Sequence, residues 1–207
     1  MSSSCSPSSP LPGELREIVE GRSYFVLYGP PATGKTRVAF ELARQALSEG
    51  HDAVVLATEP GTLTYARFVV TCVPTVPALS IDELMRSVIE SAARGSFIVV
   101  DSVNWPFRGY VSPENLTVLS AISALMRRAG GVAVGQVTEE GEEMALGRWV
   151  LPWAHAVARS QRAPCGGRPC SAISFVKPPR GSLTFELTGE GVRWLNWQGA
   201  GLNLFSR

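Results

Sequence analysis

Lysine is almost missing from this 207-residue chain: Lys35 and Lys177 are the only two, and arginine supplies the remaining basic residues. A compositional habit of the genome accounts for such a bias, but it makes each lysine worth following. Long apolar runs are missing too. No stretch of 18 uninterrupted apolar residues occurs, so no transmembrane helix is expected. The opening "MSSSCSPSSPLPG" has neither a basic nor an apolar segment, so no secretory signal peptide is expected. Its Ser/Pro content predicts a disordered lead over residues 1–13. A cytoplasmic protein without membrane contact is therefore expected. There is also no excess of charge of one sign: 19 basic against 18 acidic residues leave a net charge of +1. No global field draws the chain onto nucleic acid or an anionic surface, although a local patch could still do so. Cysteine is scarce at four, and only Cys165 and Cys170 are close in sequence, within "CGGRPC", which reads as a hairpin tip. Free thiols, a cross-strand disulfide of the kind intracellular hyperthermophile proteins carry, and part of a metal site all remain open. A zinc site would need two further ligands.

What is present points to one α/β domain over residues 14–207, with hydrophobic content of 45% sufficient for a core. Buried strands are predicted over 23–29, 52–58, 96–102 and 132–137. Amphipathic helices are predicted over 36–50, 80–95 and 112–131. Ser80 and Glu83 form a capping-box pattern, and Ser112 with Pro113 opens the third helix. Apolar strands alternating with helices imply a parallel sheet covered on both faces. After about residue 150, short strands joined by Gly/Pro turns predict an antiparallel extension.

The segment "GPPATGKT" fits G-x-x-x-x-G-K-[ST] between a strand and a helix. Backbone N–H groups there can wrap phosphates only if side chains are absent at the tight turns. Gly29, Pro30, Pro31, Ala32, Thr33, Gly34, Lys35, Thr36 and Arg37 are therefore the candidate nucleotide-binding residues. Lys35 would reach the β- and γ-phosphates, and Thr36 would offer its hydroxyl to Mg²⁺. Asp101 ends the apolar run "FIVVD" and would hold the same Mg²⁺ through water. Glu59 closes "VVLATE", where a carboxylate can orient or deprotonate an attacking water. Gln136 ends "VAVGQ", where an amide can sense the terminal phosphate. His155 reads as a packed or hydrogen-bonded strand residue, and Trp194 and Trp197 as cover for the sheet edge.

These residues in this order resemble the RecA family of recombination ATPases, and especially the archaeal RadA and RadB proteins, over roughly residues 20–195. "ATE" resembles the family's Asp-Thr-Glu, with Ala57 in place of the Asp. "VVDSVNWPFR" picks out Asp101, Ser102 and Arg108. "VAVGQV" resembles a strand ending Asn-Gln-Val, with Gly135 in place of the Asn. "LGRWVLPWAHAVARSQRA" is similar to the exit from the family's second DNA loop, and "VKPPRGSLTFELTGEGVRW" to its closing hairpin. The resemblance implies a RecA-like P-loop NTPase fold: a mostly parallel sheet with helices on both faces and a C-terminal antiparallel extension, the glutamine strand lying between the strands of Lys35 and Asp101. It implies ATP and Mg²⁺ as ligands, and Glu59 and Gln136 as catalytic residues. It places Arg67 under the adenine. Arg108, Arg148 and Lys177 are candidates for DNA or subunit contact. The N-terminal helical DNA-binding domain of RadA has no room here, and no Phe-x-x-Ala polymerisation segment is evident.

The expected function is that of a RadB-like ATP-binding protein or ATPase assisting homologous recombination and DNA repair. Single-stranded DNA, a recombinase or another copy of the chain would be its partner. One feature conflicts with DNA binding: the loop 138–148 carries Glu139, Glu140, Glu142 and Glu143 against one arginine, Arg148. Such a loop repels phosphates. The alternative is a regulatory ATP-binding module that binds a recombinase with little turnover. A KaiC-like ATPase and a small-molecule P-loop kinase are further alternatives.

Overall fold

The structure, a computed structural model, describes residues 5–109, 111–138, 141–165 and 168–199. Side chains at 169 and 196–199 are also outside the description, which leaves the reading of Trp197 and of the tail 200–207 outside the described residues. Among the described residues nine strands form one sheet: β1 (Tyr24–Gly29), β2 (Ala53–Ala57), β3 (Thr75–Pro77), β4 (Phe97–Asp101), β5 (Gly131–Gln136), β6 (Ala156–Cys165), β7 (Arg168–Lys177), β8 (Gly181–Leu187) and β9 (Val192–Gly199). Their spatial order is β3-β2-β4-β5-β1-β6-β7-β8-β9. The pairings from β3 to β6 are parallel, and those from β6 to β9 antiparallel. The expected fold class is thus observed, with β5 lying between β1 and β4.

The helices are α1 (Gly13–Glu20), α2 (Lys35–Ser48), α3 (Pro60–Phe68), α4 (Ile81–Arg94), α5 (Pro113–Ala129) and a short α6 (Gly147–Val150). Strand periodicity distributes the core between the two faces. Phe25, Leu27, Val55, Val99 and Val132 meet α1 and α2, through Leu15, Val38 and Leu42. Tyr24, Val26, Leu56, Val100 and Ala133 meet α4 and α5, through Leu84, Val88, Ile122 and Met126. Both faces of the parallel strands are therefore dry, which is why these strands read as continuous apolar runs.

The lead differs from expectation. Over residues 5–12 it is packed on the body rather than disordered. Leu11 is buried, Ser8 N–H donates to Glu41 Oε2 at 2.6 Å, and Cys5 is disulfide-bonded to Cys72. Apolar anchors and backbone partners supplied by distant elements outweigh a composition that alone favours disorder. Cys165 and Cys170, left open by the sequence, form the second disulfide, across the antiparallel pair β6–β7. Among the described residues no helix is long and apolar enough to cross a membrane.

Candidate functional site

Register brings the site together. Gly29 is level with Gln136, Ala57 with Asp101, and Asp101 with Val134, so the C-terminal ends of β1, β2, β4 and β5 form one rim. Ligands of open α/β sheets bind at such rims. The loop from Gly29 to Lys35 is held from below. Ser160 Oγ donates to Thr33 O at 3.1 Å, and Thr33 Oγ1 donates to Pro30 O at 3.0 Å. Gly34 has φ 85°, and a Cβ there would lie 2.7 Å from Leu187 Cδ2. A Cβ on Gly29 would lie 2.2 Å from Ser160 O. Both glycines are therefore fixed by space as well as by the turn.

Lys35 is only 7% exposed, and its ammonium donates to Pro30 O at 2.6 Å. Burial pushes its pKa down, opposed by the nearby Asp101 and Glu59 carboxylates. A buried cation whose hydrogen bond goes to a loop carbonyl can exchange that acceptor for a phosphate oxygen. Asp101 is 2% exposed and accepts from Thr62 Oγ1 at 2.9 Å and from the Thr36 hydroxyl. Burial pushes its carboxyl up to about 6, with Glu59 adding to the rise and the two threonines and Lys35 opposing it. Glu59 Oε1 accepts from Gln136 Nε2 at 2.6 Å and from the Ser102 hydroxyl. Lys35, Thr36, Asp101, Glu59 and Gln136 are thereby brought together as the sequence suggests.

Beside them is a cavity of about 490 Å³ lined by Lys35, Thr36, Glu59, Thr62, Tyr65 and Arg162, among others. Arg37 lies at one wall, its guanidinium 5.3 Å from the Tyr65 ring centroid and donating to Thr188 O in the β8–β9 turn. Thr62, Tyr65, Arg162, Ser160 and Asn104 are contributors that the sequence reading missed. None carries a motif: Thr62 and Tyr65 come from α3, an element that was not anticipated, Ser160 and Arg162 from β6, and Asn104 from the turn after β4. Arg67 does not line this cavity. It lies over Phe68 and borders a separate cavity with Cys72 and Pro74.

The residue set fits a Mg-nucleotide. No cluster of three His, Cys, Asp or Glu able to hold a metal occurs among the described residues. A cation bound by Thr36 and Asp101 would complete its shell from phosphate oxygens and water, as Mg²⁺ commonly does.

The remaining candidates fall elsewhere. Arg108 is exposed, lies over the Trp105 ring, and borders a second cavity of about 480 Å³ with Pro31, Gln136 and Thr138. Arg148 is exposed over Trp149. Lys177 is level with Val157, near the opposite end of β6 from the P-loop, and donates to Ala154 O at 2.7 Å. It has no part in its own chain's site. His155 lies exposed in the bend before β6, not in a strand, and its Nδ1 accepts from Tyr24 N–H at 3.0 Å, so it is hydrogen-bonded but not packed. Trp194 packs on Phe185 with ring centroids 5.4 Å apart. Glu139 and Glu140 lie outside the described residues; Glu142 and Glu143 are exposed.

Strand order and rim together define an α/β protein with a RecA-like fold. Among solved structures the chain is similar to the flagellar accessory protein FlaH of Methanocaldococcus jannaschii, at 15% identity and TM-score 0.66, over 91% of this chain and 97% of that one. It is likewise similar to a KaiC-like protein of the hyperthermophilic archaeon Pyrococcus horikoshii, at 16% identity and TM-score 0.69, over 93% and 97%. No protein-family model and no curated protein sequence matches it.

Proposed function

We propose that the protein binds Mg-ATP and hydrolyses it slowly, as a RadB-like member of the RecA family that assists recombination and repair. The observation that carries the ATPase reading is the position of Glu59: at the rim of the Lys35 cavity, with one carboxylate oxygen held by both Gln136 and Ser102. Lys35 and the loop N–H groups bind the phosphates, and Thr36 and Asp101 hold the metal. Bound Mg²⁺ supplies charge neutralisation on the phosphates. Glu59 orients water and accepts its proton. Both donors engage Oε1, which leaves Oε2 to accept from water. Gln136 can also turn its amide to a terminal phosphate, which frees a lone pair on Oε1.

A second reading, the regulatory module with little DNA binding, is favoured by the loop after Gln136. Its described carboxylates face solvent, and Thr138 N–H donates to Glu143 O at 2.9 Å, closing the loop on itself. The decisive experiment measures ATP binding and hydrolysis by the wild type, Lys35→Ala and Glu59→Gln, with and without single-stranded DNA over a salt series. The ATPase reading expects Lys35→Ala to lose binding, and Glu59→Gln to bind while losing turnover. Salt-sensitive stimulation by DNA supports the recombination role; flat data favour the module. ATP hydrolysis unchanged in both variants would remove the assigned site.

A further inference from the structure

We propose that Arg162 is a nucleotide-binding residue whose guanidinium pairs with the α- and β-phosphates from the β6 side of the loop Gly29 to Lys35. This rests on the Mg-nucleotide reading of the site given above. Strand β6 runs parallel to β1, with Arg159 level with Tyr28, so Ser160 stands beside the end of β1 and Arg162 two residues past it. At about 3.3 Å per residue, Arg162 lies about 7 Å farther along the strand than Ser160. Alternation puts residues 160 and 162 on one face. Ser160 uses that face to donate to Thr33 O at 3.1 Å. Arg162 therefore overlooks the loop one step higher, and it lines the cavity together with Ala32, Gly34, Lys35 and Leu187.

The other cations of the cavity are committed within the protein. Arg37 donates to Thr188 O and lies over the Tyr65 ring, and Lys35 donates to Pro30 O at 2.6 Å. Arg162 is exposed, and among the described residues it has neither a hydrogen bond nor an ion pair. An arginine without an acceptor at the edge of an anion site finds one in the anion, because its planar fork matches two phosphate oxygens. Position then decides which phosphates. The γ end is set by Glu59, beyond β2, and Gln136, at the end of β5, and β5 lies on the opposite flank of β1 from β6. Arg162 therefore meets the α- and β-phosphates, the ones that the loop N–H groups cradle, and not the γ.

The test measures binding of Mg-ADP and of a non-hydrolysable Mg-ATP analogue to wild type, Lys35→Ala, Arg162→Gln, Arg162→Lys and Arg128→Gln. Arg128, exposed in the last turn of α5, controls for a lost charge away from the cavity. Arg162→Gln weakens both nucleotides by the same factor, about 10- to 100-fold, the range for a charge-assisted hydrogen bond. Arg162→Lys recovers part of the loss, since it keeps the charge without the fork, and Arg128→Gln binds as wild type does. Affinities of Arg162→Gln within about twofold of wild type for both nucleotides overturn the proposal. So does a loss confined to the ATP analogue, which puts the residue at the γ-phosphate, or an equal loss in Arg128→Gln, which makes the effect one of net charge. Nucleotide-free Arg162→Gln should melt as wild type does; a lowered melting temperature would assign the residue to the fold instead. Wild-type protein that binds no nucleotide would remove the proposed function and this inference together. Binding that Lys35→Ala abolishes and Arg162→Gln keeps would remove this inference alone.

Discussion

Asp101 carries a carboxylate among buried groups, and burial raises its pKa from 3.8 to about 6. An acid whose folded pKa exceeds its unfolded value destabilises the fold when ionised. The penalty is complete above about pH 6, shrinks as pH falls through the window from 6 to 3.8, and is gone below it. Asp101→Asn keeps an oxygen to accept from Thr62 and Thr36 and removes the charge. We therefore expect the metal-free variant to be more stable than wild type at pH 7.5 by about 2–3 kcal/mol, from 1.36 kcal/mol per pKa unit. That gain should fall steadily below pH 6 and vanish near pH 3.5. Urea denaturation across pH checks it, and a gain that grows on acidification would refute the assignment. The same substitution should weaken Mg²⁺-dependent nucleotide binding, so that stability and function move in opposite directions at one residue. Gly29 behaves differently. A methyl there meets a backbone oxygen of β6, which cannot swing aside. Gly29→Ala should therefore cost about 3 kcal/mol or more, read as a lower denaturation midpoint; an unchanged midpoint would show that the loop is not pinned against Ser160.

Helix α4 shows how far local chemistry reaches. Ser80 Oγ accepts from Glu83 N–H at 3.2 Å, and Glu83 Oε2 accepts from Ser80 N–H at 3.2 Å, the capping box that the sequence announces. Ser80→Ala should cost about 1 kcal/mol, while Ser87→Ala on the same helix should be near neutral; equal costs in a thermal melt would deny the cap its role. The alternating strands and helices, the P-loop, Asp101, Glu59 and Gln136 were legible for similar reasons, because each is a local pattern with a local cause. Elements defined by tertiary contacts were not. Helix α3 begins Pro-Gly, which reads as a turn, and its contribution lies in placing Thr62 against Asp101 and Tyr65 against Arg37. Helix α1 follows a Ser/Pro tract that masks Leu15, Ile18 and Val19 on its buried side. The loop beyond Gln136 shows the same limit. Its acidity was visible in the sequence, whereas the joining of its two ends rests on Asn104 meeting Gln136 and Ala145, 32 and 41 positions away, and its packing on the space that Gly135 leaves for Met144.

At the scale of the molecule, the lead segment joins parts of the fold that are far apart in sequence. Ser8 Oγ donates to Val192 O and accepts from Val192 N–H, both at 2.9 Å, Ser9 Oγ donates to Val192 O at 2.7 Å, and Leu11 enters the core beside α1 and α2. Beneath it, fully buried Glu41 takes hydrogen bonds from Ser8 N–H and Arg44, while burial pushes its pKa up. Removing the lead would deprive that carboxylate of a backbone donor and uncover apolar surface around β9. The disulfide from Cys5 to Cys72 adds a covalent closure over a sequence separation of 67, against 5 for Cys165 to Cys170. In the chain-entropy account the longer loop restricts the unfolded chain by about 4 kcal/mol as an upper expectation, and the shorter one by about 2 kcal/mol. Cys5→Ser should therefore lower the denaturation midpoint of the oxidised protein markedly, and Cys170→Ser should lower it less. Adding a thiol reductant should bring wild type and Cys5→Ser to one common value below that of oxidised Cys5→Ser, because the Cys165–Cys170 bridge is lost as well while the noncovalent contacts of Ser8 and Leu11 remain. Deleting residues 1–12 should lower it further, since those contacts go as well. Identical midpoints for oxidised wild type and Cys5→Ser would mean that the bridge does not form in solution, and the lead would then be held by hydrogen bonds and Leu11 alone.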